Sequence, residues 1–333
     1  MLTNMSGSEI SRKSRYALFP IKHDALWAMY KQAQSMYWTA DEIDLGTDYV
    51  HWKDKLSENE RQFLEHVLAF FSNVDVVIVE NISHNFLERS EELGLPIEST
   101  MFYCWQIFNE SIHAQTYALM IDALVKDEKK RDYLFNAVTE STSISNTAKW
   151  IKENVVAEGG TDKVGLAERL IGMACVEGVM FSAAFCAIFW LRKRGLMDGV
   201  VFANDLISRD EGLHMLFACE SYKTLCKRLP DSTVENIVRS ATEHEESFVD
   251  ECLPLNLIGI NAESMKEYVR FCSDRLLVEL GHNKLFNSEN PFDWMEMQSI
   301  QGKENFFEKR VSNYRVPLES SDANAMDWSK ALG

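Results

Sequence analysis

Proline is scarce in this 333-residue chain, and its placement is uneven. The six prolines, at positions 20, 96, 230, 254, 291 and 317, all fall where apolar periodicity lapses. None lies between Pro96 and Pro230, so nothing in that stretch forbids long helices. Positive charge is also short: 34 lysines and arginines face 51 aspartates and glutamates, giving a formal charge of −17 with no basic run. That balance argues against a nucleic-acid backbone as partner. The seven cysteines (104, 175, 186, 219, 226, 252 and 272) are scattered, odd in number and include no CxxC pair. A disulfide framework is therefore not expected, and a reducing, cytoplasmic setting is. No glycine-rich phosphate loop is present. The opening stretch MLTNMSGSEISRKSRYALF has no continuous apolar segment, so no signal peptide is expected. Only Ile171 to Leu191 imitates a membrane span. It contains Glu177, costly in hydrocarbon unless paired, and a helix apolar on all sides also suits the centre of a large bundle. With no second span expected, we read it as a buried helix and expect no membrane partner.

What is present reads as helix after helix, an all-α chain. Ser57 to Glu60 (SENE) is a capping-box pattern opening a helix toward Arg89. Further helices are predicted over 99–126, 130–156, 163–194, 200–228, 232–252 and 261–280. The breaks carry turn chemistry at Gly159-Gly160, Gly195, Asp198-Gly199 and Pro230-Asp231. After Pro291 the sequence turns polar and irregular and reads as a tail. The expected organisation is a flexible arm over 1–17, one helical domain over 18–288, and a flexible tail over 289–333.

There are only eight histidines, and three follow a glutamate by three residues: Glu110–His113, Glu211–His214 and Glu279–His282. In the third pair Gly281 sits where a helix would terminate, so we take it as accidental. The first two lie within long predicted helices. Residues at i and i+3 are about 60° apart around the axis and face one way. Each pair thus presents a carboxylate and an imidazole to a common point, within apolar surroundings. Unpartnered burial of such groups costs several kcal/mol. Core Glu–His hydrogen bonds are the plainer alternative. Two lone carboxylates sharpen the case, because Asp75 interrupts LAFFSNVDVVIV and Glu177 interrupts MACVEGVMF. A four-helix bundle holding two metals takes one carboxylate from each of two helices and a Glu-x-x-His pair from each of the others. Asp75, Glu110, His113, Glu177, Glu211 and His214 supply that set, with aspartate in place of one glutamate. Two divalent ions would balance the four carboxylates, and two trivalent ions with an oxide bridge would balance them again. This ligand mixture suits iron or manganese better than structural zinc. Tyr117 lies four residues after His113, about 40° around and roughly 6 Å along the same helix. By itself it would be read as a core tyrosine. Phe181, Phe185 and Ile207 share faces with Glu177 and Glu211, although such a stripe is ordinarily core.

The stretches YWTADEIDL (37–45), HVLAFFSNVD (66–75), ESIHAQTY (110–117), VEGVMFSAAFCAIFWLRKRGLM (176–197), ISRDEGLH (207–214) and NFFEKRVSNY (305–314) resemble the eukaryotic-type small subunit of class I ribonucleotide reductase. The resemblance runs from about Tyr16 to Tyr314. It implies a ferritin-like helical bundle with extra helices, the six residues above as metal ligands, and two iron ions per chain in an Fe–O–Fe unit. Tyr117 would carry a stable radical in a pocket of Phe181, Phe185 and Ile207. Trp38 and Asp210 would join His113 in a hydrogen-bonded relay, a carboxylate behind a ligand histidine being physically sensible in its own right. Tyr314 would pass the radical to a large subunit that reduces ribonucleotides to deoxyribonucleotides, a step of DNA-precursor synthesis. Dioxygen, a reductant, that large subunit and a second copy of the chain are the implied partners. Relatives of this type end in an acidic, phenylalanine-terminated peptide, whereas this chain ends DANAMDWSKALG. Met326 and Trp328 are the apolar anchors it offers instead. Other di-metal oxidases, ferritin-type iron stores and a silent binding subunit are the competing readings. The first two do not need Tyr117, Trp38, Asp210 and Tyr314 together, and a silent subunit fits poorly with six intact ligands and the tyrosine.

Overall fold

A computed structural model describes residues 17–155, 165–252 and 260–295, and their regular structure is helical. The first helices are α1 (Asp24–Ser35), α2 (Asp48–Asp54), α3 (Glu58–Ile82), α4 (Ser90–Leu93) and α5 (Ile97–Leu124). Three short segments follow: α6 (Glu128–Phe135), α7 (Ala137–Glu140) and α8 (Thr142–Val155). The remainder are α9 (Leu166–Cys175), α10 (Ser182–Lys193), α11 (Asp198–Leu225), α12 (Asp231–Cys252) and α13 (Ala262–Glu279). The four long elements α3, α5, α9–α10 and α11 pack on one another. Helices α8, α12 and α13 cover the α9–α10 side.

Local chemistry explains where these helices start and stop. Ser57 Oγ accepts from Glu60 N at 3.3 Å, and the Glu60 carboxylate accepts from Ser57 N at 2.7 Å, which is the expected capping box. Helix α13 ends as expected before Gly281, whose φ of +83° suits glycine. His282 therefore leaves the face of Glu279, and its Nδ1 lies 2.8 Å from Asp231 Oδ1 instead. At the other end of the core, α11 begins with two N–H groups that its own residues cannot satisfy. Buried Asp48, from α2, accepts both, from Gly199 N at 3.1 Å and Val200 N at 2.9 Å. A side chain at Gly199 would put its Cβ 2.1 Å from the Asp44 carbonyl oxygen, so only glycine permits this approach.

Two expectations are corrected. The single helix expected over 130–156 is three, broken at Asn136 and Ser141. Asn73 of α3 causes the first break. It donates to Leu134 O at 2.9 Å and accepts from Val138 N at 3.2 Å, taking groups that a continuous helix would pair internally. The apolar run around Glu177 is also not alone. Both Glu58–Leu87 and Leu166–Lys193 are long and apolar enough to cross a membrane, but 67% and 94% of their apolar windows are buried inside the protein. Burial of this kind drives the fold, at about 1.5–3 kcal/mol for each large apolar side chain.

All seven cysteines are free. The described chain remains packed past 288: Asp274 accepts from Leu285 N, Phe286 N and Ser288 N at 2.7–2.9 Å, and Phe292 is buried. Tyr314, Met326, Trp328 and nearly all of the arm over 1–17 lie outside the described residues.

Candidate metal centre

Each of the four central elements delivers one part of the site. Helix α3 carries Asp75, α5 carries Glu110 and His113, and α11 carries Glu211 and His214. Glu177 lies in a π-turn, Val176–Met180, between α9 and α10. Such a turn inserts a residue and re-aims the side chains around it, commonly at functional sites. Gly178 beside it admits α11, since a Cβ there would meet Met215 Sδ at 2.6 Å.

The six side chains that spacing selected converge, and none is more than 4% exposed. His113 Nδ1 lies 2.9 Å from Glu211 Oε1 and 3.2 Å from Glu110 Oε2. His214 Nδ1 lies 2.7 Å from Glu211 Oε2 and 3.0 Å from Glu110 Oε1. Two groups have their ligand atoms within 4.8 Å of one another: Asp75, Glu110 and His113; and Glu110, Glu177, Glu211 and His214. Glu110 belongs to both.

Without a cation this arrangement is electrostatically poor. Burial, then the charges of Glu110 and Glu211, hold the Asp75 carboxyl well above the usual carboxylate range. Burial and the same two neighbours do likewise to Glu177. Burial opposes charge on His214, yet Glu110 and Glu211 lift it to about 9. Both oxygens of Asp75 and Glu177 Oε2 are buried with no hydrogen-bond partner. Buried polar atoms are otherwise almost always paired. Carboxylate oxygens left unsatisfied around a shared carboxylate, with one imidazole in each cluster, fit a pair of cations of the iron or manganese kind.

Around this cluster the structure places the other expected residues that it describes, Tyr314 not being among them. Tyr117 is fully buried, and its hydroxyl donates to Asn204 Oδ1 at 2.9 Å. Burial, then the nearby Asp75, Glu211 and Glu110 charges, push its phenol well above the ordinary value. Phe71 stacks on the Tyr117 ring, centroids 4.5 Å apart and planes 4° from parallel. Phe71 is packed in turn by Phe181 at 5.4 Å and Phe185 at 4.8 Å. Ile207 is buried one turn beyond Asn204. Trp38 Nε1 donates to Asp210 Oδ2 at 2.7 Å, that oxygen is 3.4 Å from His113 Nε2, and the Trp38 ring lies over His113. Burial opposes ionisation of Asp210, but His113, Arg209 and Trp38 hold its carboxyl below the ordinary value.

Sequence reading missed Phe71 and three amides. Gln106 Nε2 donates to Glu177 Oε1 at 2.8 Å. Asn109 Nδ2 reaches Asp210 Oδ2 at 3.1 Å, and Asn204 holds Tyr117. The available signal was helical spacing: Gln106 precedes Glu110 by four residues, Asn109 precedes His113 by four, and Asn204 precedes Glu211 by seven.

Comparisons with known proteins agree on one family. The family model described as "Ribonucleotide reductase, small chain" matches residues 15–291. The ribonucleoside-diphosphate reductase small subunit of Dictyostelium discoideum is 48% identical over 323 residues, covering 96% of this chain and 93% of the relative. Subunit M2 of the zebrafish enzyme (Danio rerio) is 44% identical, covering 90% of this chain and 76% of its own. Among solved structures, the ribonucleotide reductase Rnr4 homodimer of Saccharomyces cerevisiae superposes with a TM-score of 0.73 at 29% identity, covering 87% of this chain and 90% of that one. The dimanganese(II) NrdF of Streptococcus sanguinis shares the fold, at TM-score 0.73 and 18% identity, covering 87% of this chain and 99% of that one.

Proposed function

The chain belongs to the ribonucleotide reductase small-chain family, and on that premise we propose that it is the radical-bearing small subunit of a ribonucleoside-diphosphate reductase. The observation that carries the reading is Glu110, shared by two buried ligand clusters and two helical turns before the buried Tyr117. Asp75, Glu110 and His113 would hold one iron ion; Glu110, Glu177, Glu211 and His214 would hold the second, and manganese satisfies the same donors. When bound, such an ion pair supplies dioxygen chemistry and the oxidising equivalent. A reductant is needed to renew it.

The chain's own residues do the rest. Tyr117 gives up one electron and its hydroxyl proton to become the stored radical. Phe71, Phe181, Phe185 and Ile207 keep water from it, so the radical has few partners with which to be quenched. Gln106 Nε2 orients Glu177 by donating to one oxygen and leaves Oε2 for the cluster. Trp38, Asp210 and His113 form a continuous path leading from the cluster toward the surface, where Arg209 meets Asp210. Beyond it we place Tyr314 and a docking tail over 289–333, and a large subunit that binds nucleotide and performs the reduction. A homodimer, as in the yeast neighbour, and a cytoplasmic setting complete the proposal.

The direct test is reconstitution. The full chain, supplied with ferrous iron and dioxygen and mixed with its cognate large subunit, should convert ribonucleoside diphosphates to deoxyribonucleoside diphosphates. Neither component alone should do so. Absence of product from a metal-loaded mixture whose subunits associate would rule the assignment out.

A further inference from the structure

We propose that Asn109 is a positioning residue of the Trp38–Asp210–His113 path, a third donor that fixes the carboxylate oxygen on which the path turns. The inference rests on the relay reading above and adds a residue outside its members. Asn109 sits on α5 immediately before Glu110 and one helical turn before His113, and it is 7% exposed. Its Nδ2 lies 3.1 Å from Asp210 Oδ2 and 3.2 Å from His113 Nε2, which is itself 3.4 Å from the same oxygen. With Trp38 Nε1 at 2.7 Å, three nitrogens converge on one carboxylate oxygen.

In the structure the amide nitrogen of Asn109 faces the carboxylate. A carboxylate oxygen only accepts, so this orientation gives Oδ2 a donor, whereas the flipped amide would set two oxygens against each other there. The forces on Asp210 then oppose one another. Its other oxygen, Oδ1, is drawn outward by Arg209 at 3.3 and 3.4 Å. Arg209 is part-exposed and also donates to Met36 O at 2.8 Å. The nearest inward contacts of Oδ2 are Trp38 at 2.7 Å and Asn109 at 3.1 Å, with His113 farther away at 3.4 Å. Asn109 thus keeps Oδ2 between the indole and the imidazole and within reach of both. A group that orients a ligand histidine through its carboxylate partner matters in this way even though it touches no substrate.

The full-length chain with labelled tryptophan and histidine nitrogens tests this. In the metal-free protein the Trp38 indole resonance, assigned with Trp38→Phe, and the His113 Nε2 resonance should both shift in Asn109→Leu. The other indoles should stay in place. In the iron-loaded protein with its large subunit, Asn109→Leu should lower nucleotide reduction roughly tenfold to hundredfold. Metal and radical content per chain should match wild type; a merely structural role would not slow the rate at equal radical content. Should the leucine variant lose helicity, Asn109→Asp keeps the size but replaces the donor with an acceptor, and the same shifts and rate loss are expected. Unmoved resonances with a wild-type rate overturn the proposal. If Asp210→Asn itself reduces nucleotides at the wild-type rate, the relay reading has failed, and the role of Asn109 falls with it.

Discussion

The hydroxyl of Tyr117 and the side chain of Asn204 form a bond whose direction is fixed. Asn204 Nδ2 donates to Val200 O at 2.9 Å, so Oδ1 is the atom that faces the phenol, and the proton between them belongs to Tyr117. An amide oxygen is not a base, so this contact holds the ring without taking its proton. Removing either partner leaves the other buried and unpaired, at a cost of about 1–3 kcal/mol. Tyr117→Phe and Asn204→Leu should each destabilise the metal-free chain by that order. The double variant should lose less than their sum, a coupling that urea unfolding of all four proteins will read. Strict additivity would mean that the bond does not stabilise the fold.

The two ligand clusters make separate predictions for stoichiometry. Glu177→Ala and His214→Ala remove donors from the cluster that also contains Glu110 and Glu211. Each should bind markedly less metal than the wild-type chain, measured by elemental analysis after loading and desalting. Full wild-type stoichiometry in both variants contradicts the ligand assignment.

How much of this was legible in the sequence depended on whether a residue broke a pattern. Asp75 and Glu177 stood out because each interrupts an apolar run, and the two Glu-x-x-His pairs because their spacing puts both groups on one helical face. Gln106, Asn109 and Asn204 broke nothing. An amide within a helix reads as a surface position until tertiary structure puts a carboxylate or phenol opposite it. Phe71 was hidden inside an apolar run, where every ring looks like core. The break at Asn136 was illegible for a related reason, since the group that interrupts the helix there is the side chain of Asn73, more than sixty residues earlier. The π-turn at Glu177 likewise left no mark on the apolar pattern.

A carboxylate outside the metal cluster should shape the acid–base behaviour of the fold. Glu245 is buried, its carboxylate accepts from Ala183 N at 3.3 Å, and burial pushes the carboxyl well above 4.5. The folded chain therefore holds this proton more tightly than the unfolded chain. The resulting stabilisation is complete below about 4.5 and is lost as pH rises from there through the folded value. Glu245→Gln removes the titration. Its stability relative to wild type should improve as pH rises from about 5 toward 8, as followed by urea unfolding. A constant difference across that range contradicts the claim.

The roles proposed for the tail, docking and radical transfer, make separate predictions. Tyr314→Phe should leave metal content, radical yield and large-subunit affinity near wild type while abolishing reduction. Removing residues 323–333, with Met326 and Trp328, should instead weaken association while the radical still forms, because one or two apolar anchors can carry much of a short segment's affinity. Titration of each variant against the large subunit distinguishes the two. Undiminished binding by the shortened chain would place docking elsewhere.

The most direct measurement is an electron paramagnetic resonance spectrum, recorded after ferrous iron and dioxygen are added to the wild-type chain and to Tyr117→Phe. The account predicts a tyrosyl signal in the wild type and none in the variant, with equal iron bound to both. An unchanged signal from Tyr117→Phe, or no signal from an iron-loaded wild-type chain, would contradict it.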